Sequence, residues 1–170
     1  MLSDNMQKAL NKQLNVEFYS SYLYLSMSTY FLSINLNGFA NWMRIQAQEE
    51  LMHAMKVFDY INDRGGLIKL MSIEGPPCEW NSPLQVFADA LEHEQKNSKL
   101  INELTGLAIE EKDHATNVFL QWFINEQVEE EANVNDVVQT LKLIGDGKDG
   151  LFMVDRELAK RTFVAPTQTQ

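Results

Sequence analysis

Apolar residues recur along this chain at intervals of three, four and seven, the period of a helix with one buried face rather than the alternation of a strand. Leu10, Glu17, Tyr24 and Phe31 share one stripe; Phe39, Met43, Glu50, Val57 and Ile61 share a second, with His53 one turn from Glu50. Phe87, Leu91, Glu94, Ile101 and Ala108 make a third, and Phe119, Phe123, Glu130, Val137 and Leu141, flanked by Gln127, a fourth. Glycine and proline gather between the stripes. Helices are therefore predicted over about 4–34, 39–64, 84–112 and 113–144, with Gly65-Gly66 stopping the second and Asp113 capping the fourth. Gly145, Gly147 and Gly150 then precede a short fifth helix over 151–160, opening Leu151-Phe152-Met153-Val154, amphipathic with an apolar face that the bundle need not use.

Four helices of nearly equal length, each about 40 Å at 1.5 Å per residue, predict an all-α fold, a four-helix bundle. The segment 67–83, with Gly75-Pro76-Pro77 and Ser82-Pro83, is too long for a tight turn, and its prolines favour extended backbone. About 18 residues at up to 3.3 Å each can travel a whole helix length, so one long crossover is expected. Residues 1–162 read as one domain and 163–170 as a flexible tail.

Each stripe is apolar except for a carboxylate at mid-helix, and no Lys or Arg lies on the stripes to pair with Glu17, Glu50, Glu94 and Glu130. Burying an unpaired carboxylate costs several kcal/mol, against the roughly 5–15 kcal/mol that hold a domain together. Four such groups require protons or shared cations. Carboxylates with one imidazole suit a hard-to-borderline metal, iron or manganese best. Measured from the helix centres, Glu17, His53 and Gln127 fall near one level, Glu94 and Glu130 slightly higher, and Glu50 between them, a layout for two metal sites sharing a bridging carboxylate.

The formal charge of −10 argues against a nucleic-acid partner, which needs a basic face. The single Cys78 excludes an internal disulfide and any Cys-rich zinc or rubredoxin-type site. No apolar run approaches the roughly 20 residues of a membrane span. Residues 1–13 are polar and helix-like rather than a secretory signal. A cytoplasmic location is expected, or an organelle lumen if a transit peptide has been removed.

The stretches Asn15-Val16-Glu17-Phe18-Tyr19, Gln48-Glu49-Glu50-Leu51-Met52-His53, Phe119-Leu120-Gln121-Trp122-Phe123 and Asn125-Glu126-Gln127-Val128-Glu129-Glu130 together resemble the bacterial and archaeal non-haem ferritins, over nearly the whole chain. The resemblance implies a ferritin-like bundle with one crossover and a C-terminal fifth helix. It implies an iron-storage and detoxification subunit that acts as a ferroxidase, oxidising Fe(II) with O2 at a di-iron centre. Carried over, Glu17, Glu50 and His53 would bind one iron with Gln127 close by, and Glu50, Glu94 and Glu130 the second. Glu49, Glu126 and Glu129, sharing Glu130, resemble a third iron site. Tyr24 matches a tyrosine that supplies an electron, and Trp122 lies in the same region. Self-assembly into a homo-24-mer shell is implied, with the fifth helix as an assembly element. Bacterioferritins carry a second Glu-x-x-His on the fourth helix and a haem-ligating Met after the bridging Glu; Gln127-x-x-Glu130 and Leu51 stand there here, so no haem is expected.

Two other readings stay open at this point. A di-iron protein that turns over peroxide, such as the bundle part of a rubrerythrin, is an alternative enzyme, and a metal-free helical interaction module is an alternative of another class. Glu92 and Glu131 point away from the site stripes and read as solvated; His93 and His114 lack a partner set and read as structural or surface residues; Cys78, in the crossover, reads as a bystander.

Overall fold

The computed structural model describes residues 1–145 and 147–164. Five helices follow one another: α1 (Asp4–Ser33), α2 (Asn37–Asp63), α3 (Pro83–Glu110), α4 (His114–Ile144) and α5 (Lys148–Leu158). The ends lie where local chemistry places them. The Ser3, Ser82 and Asp113 side chains accept from the backbone N–H groups of Met6, Gln85 and Thr116, and Pro83 opens α3, where a missing N–H costs nothing. Gly65, at φ 67°, turns the chain out of α2 in the left-handed conformation that glycine adopts freely.

Short turns join α1 to α2 and α3 to α4, which makes each pair antiparallel neighbours. The link between the pairs is the expected crossover, and α1 holds it along most of its length. Leu67 donates to the Gln7 side chain and Lys69 to Asn11; Asn15 donates to the carbonyl of Ser72 and Ser26 to that of Pro77. Trp80 ends the run, packed edge-on against Tyr30, with its indole N–H donating to Asp89 at 2.9 Å.

The apolar interior is in two parts. One, at the end nearest α5, gathers Tyr24, Phe31, Phe39, Met43, Phe87, Val134 and Val138; the other, at the far end, gathers Met6, Leu10, Leu14, Val57, Ile61, Ile101 and Phe123. The mid-bundle carboxylates separate them. Leu91 and Phe119, expected on buried stripes, are only half-buried. Phe119 instead stacks on Tyr60 at 3.8 Å on the flank of the bundle, and Leu91 packs on the rim of the first cluster.

The fifth helix starts three residues before its predicted position, because Gly147 opens it and Gly150 lies within it. Leu151, Val154 and Leu158 pack against the end of the bundle, while Phe152 and Met153 remain exposed. The α2 N-terminus has no cap of its own; Asp155 of α5 caps it, accepting from the N–H groups of Gly38 at 2.7 Å and Phe39 at 3.1 Å. A Cβ at position 38 would lie 1.6 Å from the Asp155 carbonyl oxygen, so only glycine permits this approach. Of the predicted tail 163–170, residues 165–170 lie outside the described residues. Among the described residues, no helix is long and apolar enough to cross a membrane.

Candidate metal centre

The heptad-like stripes bring Glu17 of α1, Glu50 and His53 of α2, Glu94 of α3, and Gln127 and Glu130 of α4 to the layer between the two apolar clusters. None is more than 5% exposed. Glu17, Glu50 and His53 each offer one ligand atom, all within 4.8 Å of one another. A second such group, His53, Glu126 and Glu130, opens toward the surface, sharing the imidazole. His53 Nδ1 lies 3.5 Å from Glu50 and Nε2 4.0 Å from Glu126. Trp122 and Phe123 pack edge-on against the imidazole and fix its plane.

Neither tight group among the described residues includes Glu94. Its oxygens are turned to other partners: the Tyr24 hydroxyl donates to one, and the Gln127 amide donates to the other at 3.2 Å. The same amide reaches the Glu94 carbonyl and Ser98, both at 3.2 Å, so Gln127 holds Glu94 in position. Glu126 is partly buried, Glu129 is exposed, and Glu49 pairs with Arg161 at 2.5 Å. Glu131 is half-buried rather than free in solvent, because it accepts from Ser98. Glu92 pairs with Lys96 at 2.7 Å on the surface. His93, half-buried, bonds Ser20 at 2.8 Å and packs against Tyr19 and Tyr24, a structural role. Cys78 is exposed.

Around the acids stands a set of neutral amides that the stripes did not reveal. Gln13 donates to Glu17 at 2.7 Å and to Asn97 at 2.8 Å. Gln46 donates to Glu130 at 2.5 Å and to Glu50 at 3.3 Å, joining α2 to α4. A signal for two of these existed: Gln13 and Gln46 each stand four residues, one helical turn, before a stripe glutamate. Amides lend hydrogen bonds without adding charge, so they orient the carboxylates without supplying the positive charge that would ionise them.

The electrostatics follow from burial. Desolvation, then repulsion from Glu50, raises Glu17 from 4.5 to about 8. Desolvation and Glu94 push Glu50 well above its ordinary value, and desolvation with Glu50 and Glu94 does the same to Glu130. Desolvation also raises Glu126 and Tyr24. Six buried side-chain polar atoms among the described residues have no hydrogen-bond partner, and five belong to this layer: Glu17 Oε2, Gln46 Oε1, Glu50 Oε2, and both ring nitrogens of His53. Each buried orphan costs about 1–3 kcal/mol. Four of the five are carboxylate oxygens or imidazole nitrogens, the donors that a borderline divalent cation takes.

The ferritin-like domain family model matches residues 7–144. A bacterial non-heme ferritin of Bacteroides fragilis is 46% identical over 161 residues, covering 95% of this chain and all of the relative. The chain belongs to the ferritin family. A bacterial non-heme ferritin of Staphylococcus aureus is 39% identical over 163 residues, covering 96% of this chain and 98% of that one. The crystal structure of an open-pore ferritin from the archaeon Archaeoglobus fulgidus superposes with a TM-score of 0.94 at 55% identity, covering 95% of this chain and 98% of that one. The four-helix bundle with a short C-terminal helix is thus the ferritin fold, and iron storage is the function that goes with it. The donor groups at mid-bundle are compatible with a di-iron site.

Proposed function

We propose that this chain is a ferroxidase subunit, in which Fe(II) is a substrate oxidised by O2 before the ferric product passes to storage. The observation that carries the reading is the row of unpartnered Glu17, Glu50 and His53 atoms in a layer that positive charge would stabilise. Glu17, Glu50 and His53 bind one ferrous ion; Glu50, Glu94 and Glu130 bind the second, once Glu94 exchanges its bonds to Tyr24 and Gln127 for the metal. Each Fe(II) gives one electron, and O2 takes both. The anionic donors favour the ferric state, while the surrounding amides hold the metal–metal geometry. Tyr24 supplies a further electron, a role supported by its hydrogen bond to Glu94.

The outward-facing His53, Glu126 and Glu130, with Glu49 and Glu129 nearby, form a third iron site on the way out. Gln127, a neutral amide, stands beside the centre where a second histidine would hold iron more firmly. The exposed Phe152 and Met153 of α5 support self-association, and we infer a shell of twenty-four copies working in the cytoplasm.

The test is an anaerobic titration of the apo-protein with Fe(II), followed by admission of oxygen, with absorbance and particle size recorded together. Oxidation by shell-sized particles that then mineralise is expected. Unchanged oxidation in Glu50→Ala and His53→Ala would refute the reading; a small dimer consuming peroxide would favour a rubrerythrin-like role.

A further inference from the structure

Arg161, just beyond α5, contacts Glu49 on α2, and several fixed points deliver it there. Asp155 caps the start of α2, and the Asn41 side chain donates to the Arg161 carbonyl at 3.0 Å and to those of Leu158 and Ala159 at 3.4 Å. The guanidinium then lies 4.3 Å from the Trp42 ring centroid, and one of its nitrogens meets Glu49 Oε2 at 2.5 Å. Both side chains are about 20% exposed, so this ion pair is partly withdrawn from solvent. Its other terminal nitrogen is buried without a partner.

Glu49 belongs electrostatically to the same acidic region, since its charge is felt at Glu50, Glu126 and Glu130. The region is aimed at a ligand by more than its acids: His53 is 1% exposed and its Nε2, with no hydrogen-bond partner, faces Glu126. Two cations face the region from outside, Arg161 on Glu49 and Lys56, which lies 4.3 Å from the centre of the Trp122 ring and acts on Glu126.

We propose that Arg161 is a built-in competitor for Glu49, so that a divalent cation leaving the inner centre gains Glu49 as a ligand only by displacing the guanidinium. The inference rests on the proposed reading of His53, Glu126, Glu129 and Glu130 as a cation site, and adds the residue that sets its strength. With the guanidinium seated, the outer site works with one fewer free carboxylate and holds its cation weakly. A weak outer site passes its cargo onward; a strong one would trap it. The contact therefore biases against retention, as an interface discriminates by a built-in competing contact.

The test is calorimetric titration of the assembled, metal-free protein with Zn(II), which binds similar donors and has no redox chemistry. The step abolished by Glu126→Gln identifies the outer site. Arg161→Gln is expected to strengthen that step by about two- to fivefold, the upper range for a partly exposed ion pair, and to leave the inner steps unchanged. Arg161→Met, which keeps the apolar stem over Trp42, must do the same, separating charge from packing. In a Glu49→Gln background the gain must vanish, as a double-mutant cycle requires. An unchanged outer step in both variants, or a gain that survives Glu49→Gln, overturns the proposal. A titration in which Glu126→Gln abolishes no step would instead overturn the underlying reading of the outer site, and this proposal with it.

Discussion

Replacing Glu17 by glutamine takes one ionisable proton out of the middle of the bundle while keeping the shape of the protonated acid. In the folded apo-protein this carboxyl titrates at about 8, against an ordinary 4.5. Folding therefore binds the proton more tightly, and the stability it contributes is complete below the ordinary value and lost as pH rises through the folded one. At roughly 1.4 kcal/mol for each tenfold change in proton affinity, the whole loss is about 5 kcal/mol, of which about 2–3 kcal/mol falls between pH 5 and pH 7. Glu50 and Glu130, also raised, act in the same direction. The assay is urea unfolding of metal-free protein with a chelator present, followed by circular dichroism at a series of pH values. Difference infrared spectroscopy would follow the protonated carboxyl directly. The wild type should weaken steeply across this range and Glu17→Gln should weaken less, by about 2–3 kcal/mol. Adding Zn(II) should restore the wild type most at the alkaline end, where the ligands are deprotonated. Parallel pH profiles for the two proteins would refute a high-titrating buried acid at position 17.

Three further outcomes are expected. Gln46→Ala, which frees Glu130 and Glu50 from their shared amide, should lower metal affinity about 10- to 100-fold with helix content retained, as read by calorimetry and circular dichroism. His53→Ala removes the ligand common to both donor groups, so initial Fe(II) oxidation in air should slow by more than about tenfold in stopped-flow absorbance. Asp155→Ala uncaps α2 and should cost about 1 kcal/mol. Faster amide exchange at Gly38 and Phe39 would report it, and unchanged exchange there would show that the cap holds nothing.

The helices and most of the acidic layer were legible because helical periodicity turns burial into a repeat. Glu17, Glu50, Glu94 and Glu130 each interrupt an apolar stripe, and a charge on a buried stripe is conspicuous whatever surrounds it. Gln13, Gln46 and Asn97 escaped because an amide at a helical position looks the same whether it faces water or a carboxylate. Only its spacing from a glutamate already found could single it out. Phe119 escaped in the opposite sense: its place on a stripe suggested the core, whereas the neighbouring Tyr60 ring gave it a flank position. The contact between Arg161 and Glu49 spans 112 positions and depends on how α5 docks, which no local pattern encodes. The early start of α5 has the same origin, since docking on Gly38 compensates for the helix-weakening Gly150.

The division of the interior into two apolar clusters has a consequence for how this subunit can be altered. Side chains at opposite ends share no packing surface, so a methyl group gained near Ile61 and one lost near Phe39 should be felt separately, as distant substitutions usually are. Either end can then be rebuilt for heat tolerance or for a new neighbour while the other stays as it is. The acidic tier between them behaves like a mortar joint, and a chain that filled that tier with leucine would gain cohesion and lose every donor that a cation could take there.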